Sequence, residues 1–209
     1  MILRILRGRA TREDLERLME AVRTDIEAWG RIDAGPAWAQ PAFTPQGDDV
    51  EFVLASTWTS PEAVLARGGD VSEPRGRLGE SGLLHDSRAQ HYELVLEVSA
   101  EPTARCEVIR LSSIELVPRR ASAFYERLRG RWDELVGDVG LVALRVGRRV
   151  LPGGEQAVVL GAWETQAALE AATPGGLVGG DEMRTFYAAE PTSDLLTALS
   201  VAPNRPPGA

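Results

Sequence analysis

Lysine is missing altogether, so all 23 basic residues of this 209-residue chain are arginine. Asparagine occurs once (Asn204), cysteine once (Cys106), and histidine twice (His85 and His91). With one cysteine no internal disulfide can form, and a reducing, cytoplasmic compartment is expected. Two histidines six residues apart and one distant cysteine make no ligand cluster, so no metal is expected. A net charge of −8 with no basic block argues against nucleic acid, because phosphate binding needs a concentrated cationic face. No apolar run approaches the roughly 20 residues that cross a bilayer. The start, Met1-Ile2-Leu3-Arg4-Ile5-Leu6-Arg7, mixes charge with hydrophobe and does not read as a secretory signal. Loss of Lys and Asn beside abundant Ala, Gly, Arg and Pro reads as the codon bias of a GC-rich, bacterial genome. The remaining balance, 44% hydrophobic and 26% charged, is that of a globular protein and excludes wholesale disorder.

What is present reads twice. The segment Glu51-Phe52-Val53-Leu54-Ala55-Ser56-Thr57-Trp58-Thr59-Ser60-Pro61 is echoed by Gln156-Ala157-Val158-Val159-Leu160-Gly161-Ala162-Trp163-Glu164-Thr165-Gln166. In each, a β-type run ends in tryptophan, and a hydroxyl residue two places on opens a helix. Ser60 before Pro61 supplies a cap and a residue with no N–H to satisfy.

The flanking patterns agree. In the first half, Ile2–Arg9 is expected as a strand, and Thr11 with Asp14 starts a helix whose apolar face is Leu15, Leu18, Met19, Val22 and Ile26. Gly30 and Gly35-Pro36 end it. Strands follow at Ala37–Phe43 and Val50–Trp58, a short helix at Ser60–Arg67, and a fourth strand at His91–Val98. The second half offers a strand at Cys106–Val117 and a helix at Arg119–Val136 with Phe124, Leu128, Trp132 and Leu135 in one stripe. Strands Leu141–Val150 and Ala157–Trp163 come next, then a helix at Thr165–Ala172. The last strand is expected at Arg184–Ala188, and Asp194–Val201 is a terminal helix or strand. A linker is expected near Ser99–Arg105 and a loose tail over residues 202–209. The halves are therefore 1–100 and 106–201. Each would be a four-stranded antiparallel sheet with helices on one face, leaving the other face wet unless a second sheet covers it. The expected fold is α+β, two tandem ferredoxin-like halves with an interior between their sheets.

This order, with Leu54–Ala63, Leu160–Thr165 and His91-Tyr92-Glu93-Leu94-Val95, resembles the dimeric α+β barrel superfamily and within it the antibiotic-biosynthesis-monooxygenase-like proteins. Members usually pair as homodimers. The resemblance implies a monomer here, holding both halves as an internal pseudo-dimer, with further homodimerisation left open. It also implies a small-molecule ligand, and activities that range from cofactor-independent oxygenation of quinol or polyketide-like aromatics to haem degradation. The haem-degrading branch is similar in using a first-strand Asn, a strand-end Trp and a His on the next helix. Only Trp58 and Trp163 match.

Candidate residues carry two readings each. Trp58 and Trp163 either wall a cavity for an aromatic ligand or pack the core under the short helices. His91 either serves as a general base, with Glu93 on the same strand face as its modulator and Tyr92 shaping the pocket, or is a solvated strand residue. His85 falls in the Gly-rich stretch Gly68–Asp86, a loop or a lid. Cys106 reads as a small buried hydrophobe. Among the strand arginines Arg4, Arg7, Arg110, Arg145 and Arg149, most are expected to face solvent, and an inward one can bind an anionic or enolate ligand. The leading expectation is a cofactor-independent monooxygenase acting on a small aromatic or polyketide-like substrate, with Trp58, Trp163, Tyr92 and Glu93 binding it. The alternatives are a non-catalytic binding or interaction protein on the same scaffold, and a haem binder using His85 or His91.

Overall fold

Strand β1 (Ile2–Thr11) carries apolar residues on both faces rather than alternating, and in the computed structural model both faces are covered: Leu3, Ile5, Leu6 and Ala10 are all buried. The structure describes residues 1–29, 35–66, 82–99, 105–135, 140–172 and 178–199. Thr11 Oγ1 accepts from the Asp14 backbone N–H at 3.1 Å and donates to the Asp14 carboxylate, so the chain turns into helix α1 (Leu15–Trp29) as the sequence expects. Strands β2 (Trp38–Gln46) and β3 (Asp49–Trp58) form a hairpin through Gly47-Asp48, where Gly47 takes a φ of 64°. β3 pairs antiparallel with β1 from Ile2↔Trp58 to Thr11↔Asp49 and with β2 on its other side. Helix α2 (Pro61–Leu65) is capped by Ser60, whose hydroxyl accepts from the Ala63 N–H at 3.2 Å.

Leu18, Val22 and Ile26 of α1 pack with Leu6, Ala10, Val50, Phe52 and Leu54, the even-numbered face of β1 and β3. The odd face is buried too: Leu3, Val53, Ala55 and Thr57 have at most 2% exposure. Strand β4 is longer than expected, running His85–Ser99 rather than from His91, so His85 belongs to a strand and not to a loop. Residues 67–81, most of the Gly-rich stretch Gly68–Asp86, lie outside the described residues, as do residues 100–104 of the expected linker, Gly30, and the tail.

The second series repeats the order. β5 (Val108–Leu116) begins two residues after Cys106. Helix α3 (Ala121–Leu135) buries Phe124, Leu128 and Trp132, while the side chain of Leu135 lies outside the described residues. β6 (Leu141–Leu151), β7 (Gly154–Trp163) and helix α4 (Gln166–Ala172) follow, α4 being capped by Thr165 Oγ1 at 3.1 Å from the Ala168 N–H. The end differs from expectation. Asp181–Arg184 is a short helix, α5, and Tyr187 makes only an isolated bridge to Leu116. The last strand is β8 (Thr192–Ala198), which pairs with β5. Met183 and Phe186 fall at helix-turn spacing and enter the core together, which a strand's alternation would have forbidden.

The chain divides into two compact units, one drawing on Met1–His91 with Leu199, the other on Tyr92–Ala198. The division falls inside β4. Its second part pairs antiparallel with β6, from Glu93↔Arg148 to Ser99↔Ala143, and so belongs to the later unit's sheet. Leu199 returns to the first unit, where its N–H donates to the Pro41 carbonyl at 3.0 Å and its carbonyl accepts from Gln40 Nε2 at 2.8 Å.

Candidate functional site

The two tryptophans occupy matching registers. Trp58 pairs across to Ile2 and Trp163 to Val108, so each indole ends the third strand of its series opposite the start of the first. Trp58 has no exposed surface and packs with Ile2, Ala63 and Val64 beneath α2, its Nε1 donating to Ser56 Oγ at 3.0 Å. Trp163 is likewise fully buried, among Val108, Leu141 and Leu169. Where Ser56 stands two residues before Trp58, Gly161 stands before Trp163, so that indole has no hydroxyl beside it. Its Nε1 is buried with no partner among the described residues.

His91, Tyr92 and Glu93 sit together on β4, but at different depths. Tyr92 is 2% exposed, His91 is half-buried, and Glu93 is exposed. The Glu93 carboxylate accepts from Arg148 Nε at 2.7 Å, its directly opposite neighbour on β6. It is thus engaged by an arginine and not by His91. A bulge between Leu94 and Leu96 also breaks the alternation expected along β4, moving Leu96 onto the Glu93 face. Among the described residues, no group of three or more His, Cys, Asp or Glu side chains could hold a metal ion.

Cys106 is half-buried, with its Sγ 3.4 Å from the Val108 carbonyl. Burial pushes its thiol up to about 11, which keeps it protonated and unreactive at neutral pH. Tyr125 donates to the Glu155 carboxylate, and burial together with that bond holds its phenol well above the usual value.

The strand arginines overturn the expectation that most face solvent. Only Arg149 is exposed; Arg7 and Arg110 are half-buried, and Arg4 and Arg145 are buried at 9% and 4%. Cross-strand carboxylates explain two of them. Arg7 reaches Glu51 at 2.8 Å, and Arg145 Nε donates to Glu97 at 2.8 Å across the β4–β6 pair. Arg4 has no such partner among the described residues, and desolvation holds its guanidinium below the usual arginine value. A signal for its burial was present in the sequence. Apolar residues flank it at one and two places on either side, which marks a strand covered on both faces.

No family model matches the sequence, and no curated protein matches it. Solved structures match over nearly the whole chain. A provisionally assigned monooxygenase of Fusobacterium nucleatum subsp. nucleatum aligns with a TM-score of 0.64 at 8% identity, covering 95% of this chain and 92% of its own. An anthrone oxidase-like protein aligns at 0.59 and 16% identity with the same coverage. A ferredoxin-fold protein of Listeria monocytogenes 4b F2365, related to antibiotic biosynthesis monooxygenases, aligns at 0.51 and 10% identity over 95% of each chain. Likeness at such identities is a likeness of fold, carried by antiparallel strands and few helices in the order described above. The chain has the α+β, ferredoxin-like fold of the dimeric α+β barrel group to which the antibiotic-biosynthesis-monooxygenase-like proteins belong.

Proposed function

We propose that this protein is a cofactor-independent monooxygenase-like enzyme acting on a small aromatic or polyketide-like substrate. The observation that carries this reading is the likeness of fold, over 95% of the chain, to a provisionally assigned monooxygenase and to an anthrone oxidase-like protein. His91 is the proposed base. It is half-buried on β4, beside the buried Tyr92, and imidazole near neutral pH is suited to taking the proton of a phenol before oxygen reacts. Tyr92 is the proposed neighbour that shapes the site beside it, and the proposed role of Trp58 and of Trp163 is, each within its own unit, to wall a substrate region from the end of its strand, β3 or β7. The reading is tested by oxygen uptake with a panel of anthrones and hydroquinones. Saturable uptake is expected, lowered on the order of 10²-fold in His91→Ala. Unchanged turnover in that variant would exclude His91 as the base.

The second reading is a non-catalytic small-molecule-binding protein on the same scaffold. The engagement of Glu93 by Arg148 favours it, since the carboxylate expected to modulate His91 is bonded to an arginine. Stoichiometric ligand binding without oxygen consumption is the result that reading expects.

A further inference from the structure

Among the described residues two arginines are buried, and they are provided for differently. Arg145 has the Glu97 carboxylate at 2.8 Å. Arg4 is 9% exposed, and its Nε is sealed from solvent without a hydrogen-bond partner among the described residues. A guanidinium keeps its charge under all ordinary conditions, and a buried charge left unpaired is strongly unfavourable. Such a residue is retained at a cost to stability, and an anion that arrives from outside recovers that cost.

The surroundings define the anion. Directly across the β1–β3 pair from Arg4 lies Ser56, and Ala39 of β2 lies beyond it. Ser56 Oγ accepts from Trp58 Nε1, which uses a lone pair and leaves the hydroxyl proton to be donated elsewhere. The neighbours of Arg4 on the same face of β1 and β3 are Ile2, Leu6, Leu54 and Trp58, all apolar or aromatic. A small hydrated inorganic ion gains little among such neighbours, whereas an aromatic acid or phenol carries an apolar ring that is compatible with them. The second series sets out the same parts less completely. Arg110 lies opposite Gly161 beside Trp163, half-buried, with no carboxylate bonded to it among the described residues.

We propose that Arg4 and Ser56 form a binding site for the anionic oxygen, carboxylate or phenolate, of a small aromatic ligand. The inference extends the oxygenase reading by giving its substrate a charge, and its test reads binding without turnover, so either can fail alone.

The test is calorimetric titration of the full chain with 2-naphthoate and with its neutral analogue 2-naphthamide. The wild type is expected to prefer the naphthoate at least tenfold, and inorganic phosphate in tenfold excess is expected not to displace it. In Arg4→Met the preference falls to less than twofold. That variant also removes an unpaired buried charge while keeping the apolar stem, so its Tm is expected to rise. Arg149→Gln, at an exposed position, is expected to behave as wild type. An Arg4→Met protein that retains the tenfold preference would overturn the assignment, as would phosphate displacing naphthoate at equal concentration. For a protein that misfolds on losing Arg4, Ser56→Ala provides the second reading: preference is expected to drop, and full retention counts against the site.

Discussion

Cys106 and Tyr187, like Tyr125, are held in their neutral forms by burial, and such groups shape the response of this protein to alkali. The Cys106 thiol is raised from 9.0 to about 11, chiefly by desolvation, and the Tyr187 phenol from 10.0 to about 12 for the same reason. Tyr187 also donates its hydroxyl to the Val178 carbonyl at 2.6 Å, a bond lost on ionisation. A group that holds its proton more tightly when folded stabilises fully below its unfolded value and loses that contribution as pH climbs to the folded one. Stability is therefore expected to be level with respect to these groups up to pH 9, then to decline between pH 9 and 11 through Cys106 and between pH 10 and 12 through Tyr187. Urea midpoints taken at intervals from pH 8 to pH 11 check this. Cys106→Ala should flatten the first part of the decline, and an unchanged slope would show that the thiol is not shielded.

At the scale of elements, the cap residues and the glycines fix where strands give way to helices. Gly140 is the sharpest case. It sits just before β6 with a φ of 73°, and its carbonyl accepts from the Glu164 N–H at 2.9 Å, tying the start of β6 to the end of β7. A Cβ built on it would lie 2.8 Å from the Cβ of Ala168 on α4. Gly140→Ala thus combines a left-handed backbone with a steric overlap that α4 has to relieve by moving. It is expected to cost about 2 kcal/mol, measured as a shift of the denaturation midpoint at constant slope.

Elements such as these were largely legible in the sequence, because Thr11, Ser60 and Thr165 are local signals and cap helices through bonds to backbone N–H groups three residues on. The end of the chain was legible only in part: a strand does lie where Asp194–Val201 is expected as helix or strand, but none lies at Arg184–Ala188. Arg184–Ala188 is short and mixed in character, and Met183 and Phe186 reveal their helical spacing only once their common burial is known. The bulge in β4 was equally hidden, since nothing local to Leu94-Val95-Leu96 marks an extra residue until β6 fixes the register. Of the candidate site, the tryptophans and the β4 residues could be named from sequence. The engagement of Glu93 by Arg148 and of Arg145 by Glu97 joins residues 55 and 48 positions apart, and such pairs follow only from strand pairing.

For the whole molecule, the course of β4 and of Leu199 matters most. Residues 1–100 carry the first series complete, yet Glu93–Ser99 then lack β6, and the Pro41 carbonyl and Gln40 side chain lack Leu199. A fragment of residues 1–100 made alone is expected to aggregate or remain unfolded, with an unpaired strand edge as the cause. Co-expressed with residues 101–209 it is expected to recover native circular dichroism in a one-to-one complex. A fragment 1–100 that folds alone as a monomer would show that these exchanged bonds are dispensable.

The unlike neighbours of the two tryptophans have a genetic consequence. In a symmetric homodimer one codon writes both copies, so every change in one site is made in the other, and a substitution that helps one role must be tolerated twice. Here Ser56 and Gly161, like Arg4 and Arg110, are written by separate codons. One position of each pair is free to drift while its counterpart is held by selection. A single reading frame carrying both series can keep one ligand site under constraint and release the other, an outcome closed to a chain that has to meet itself.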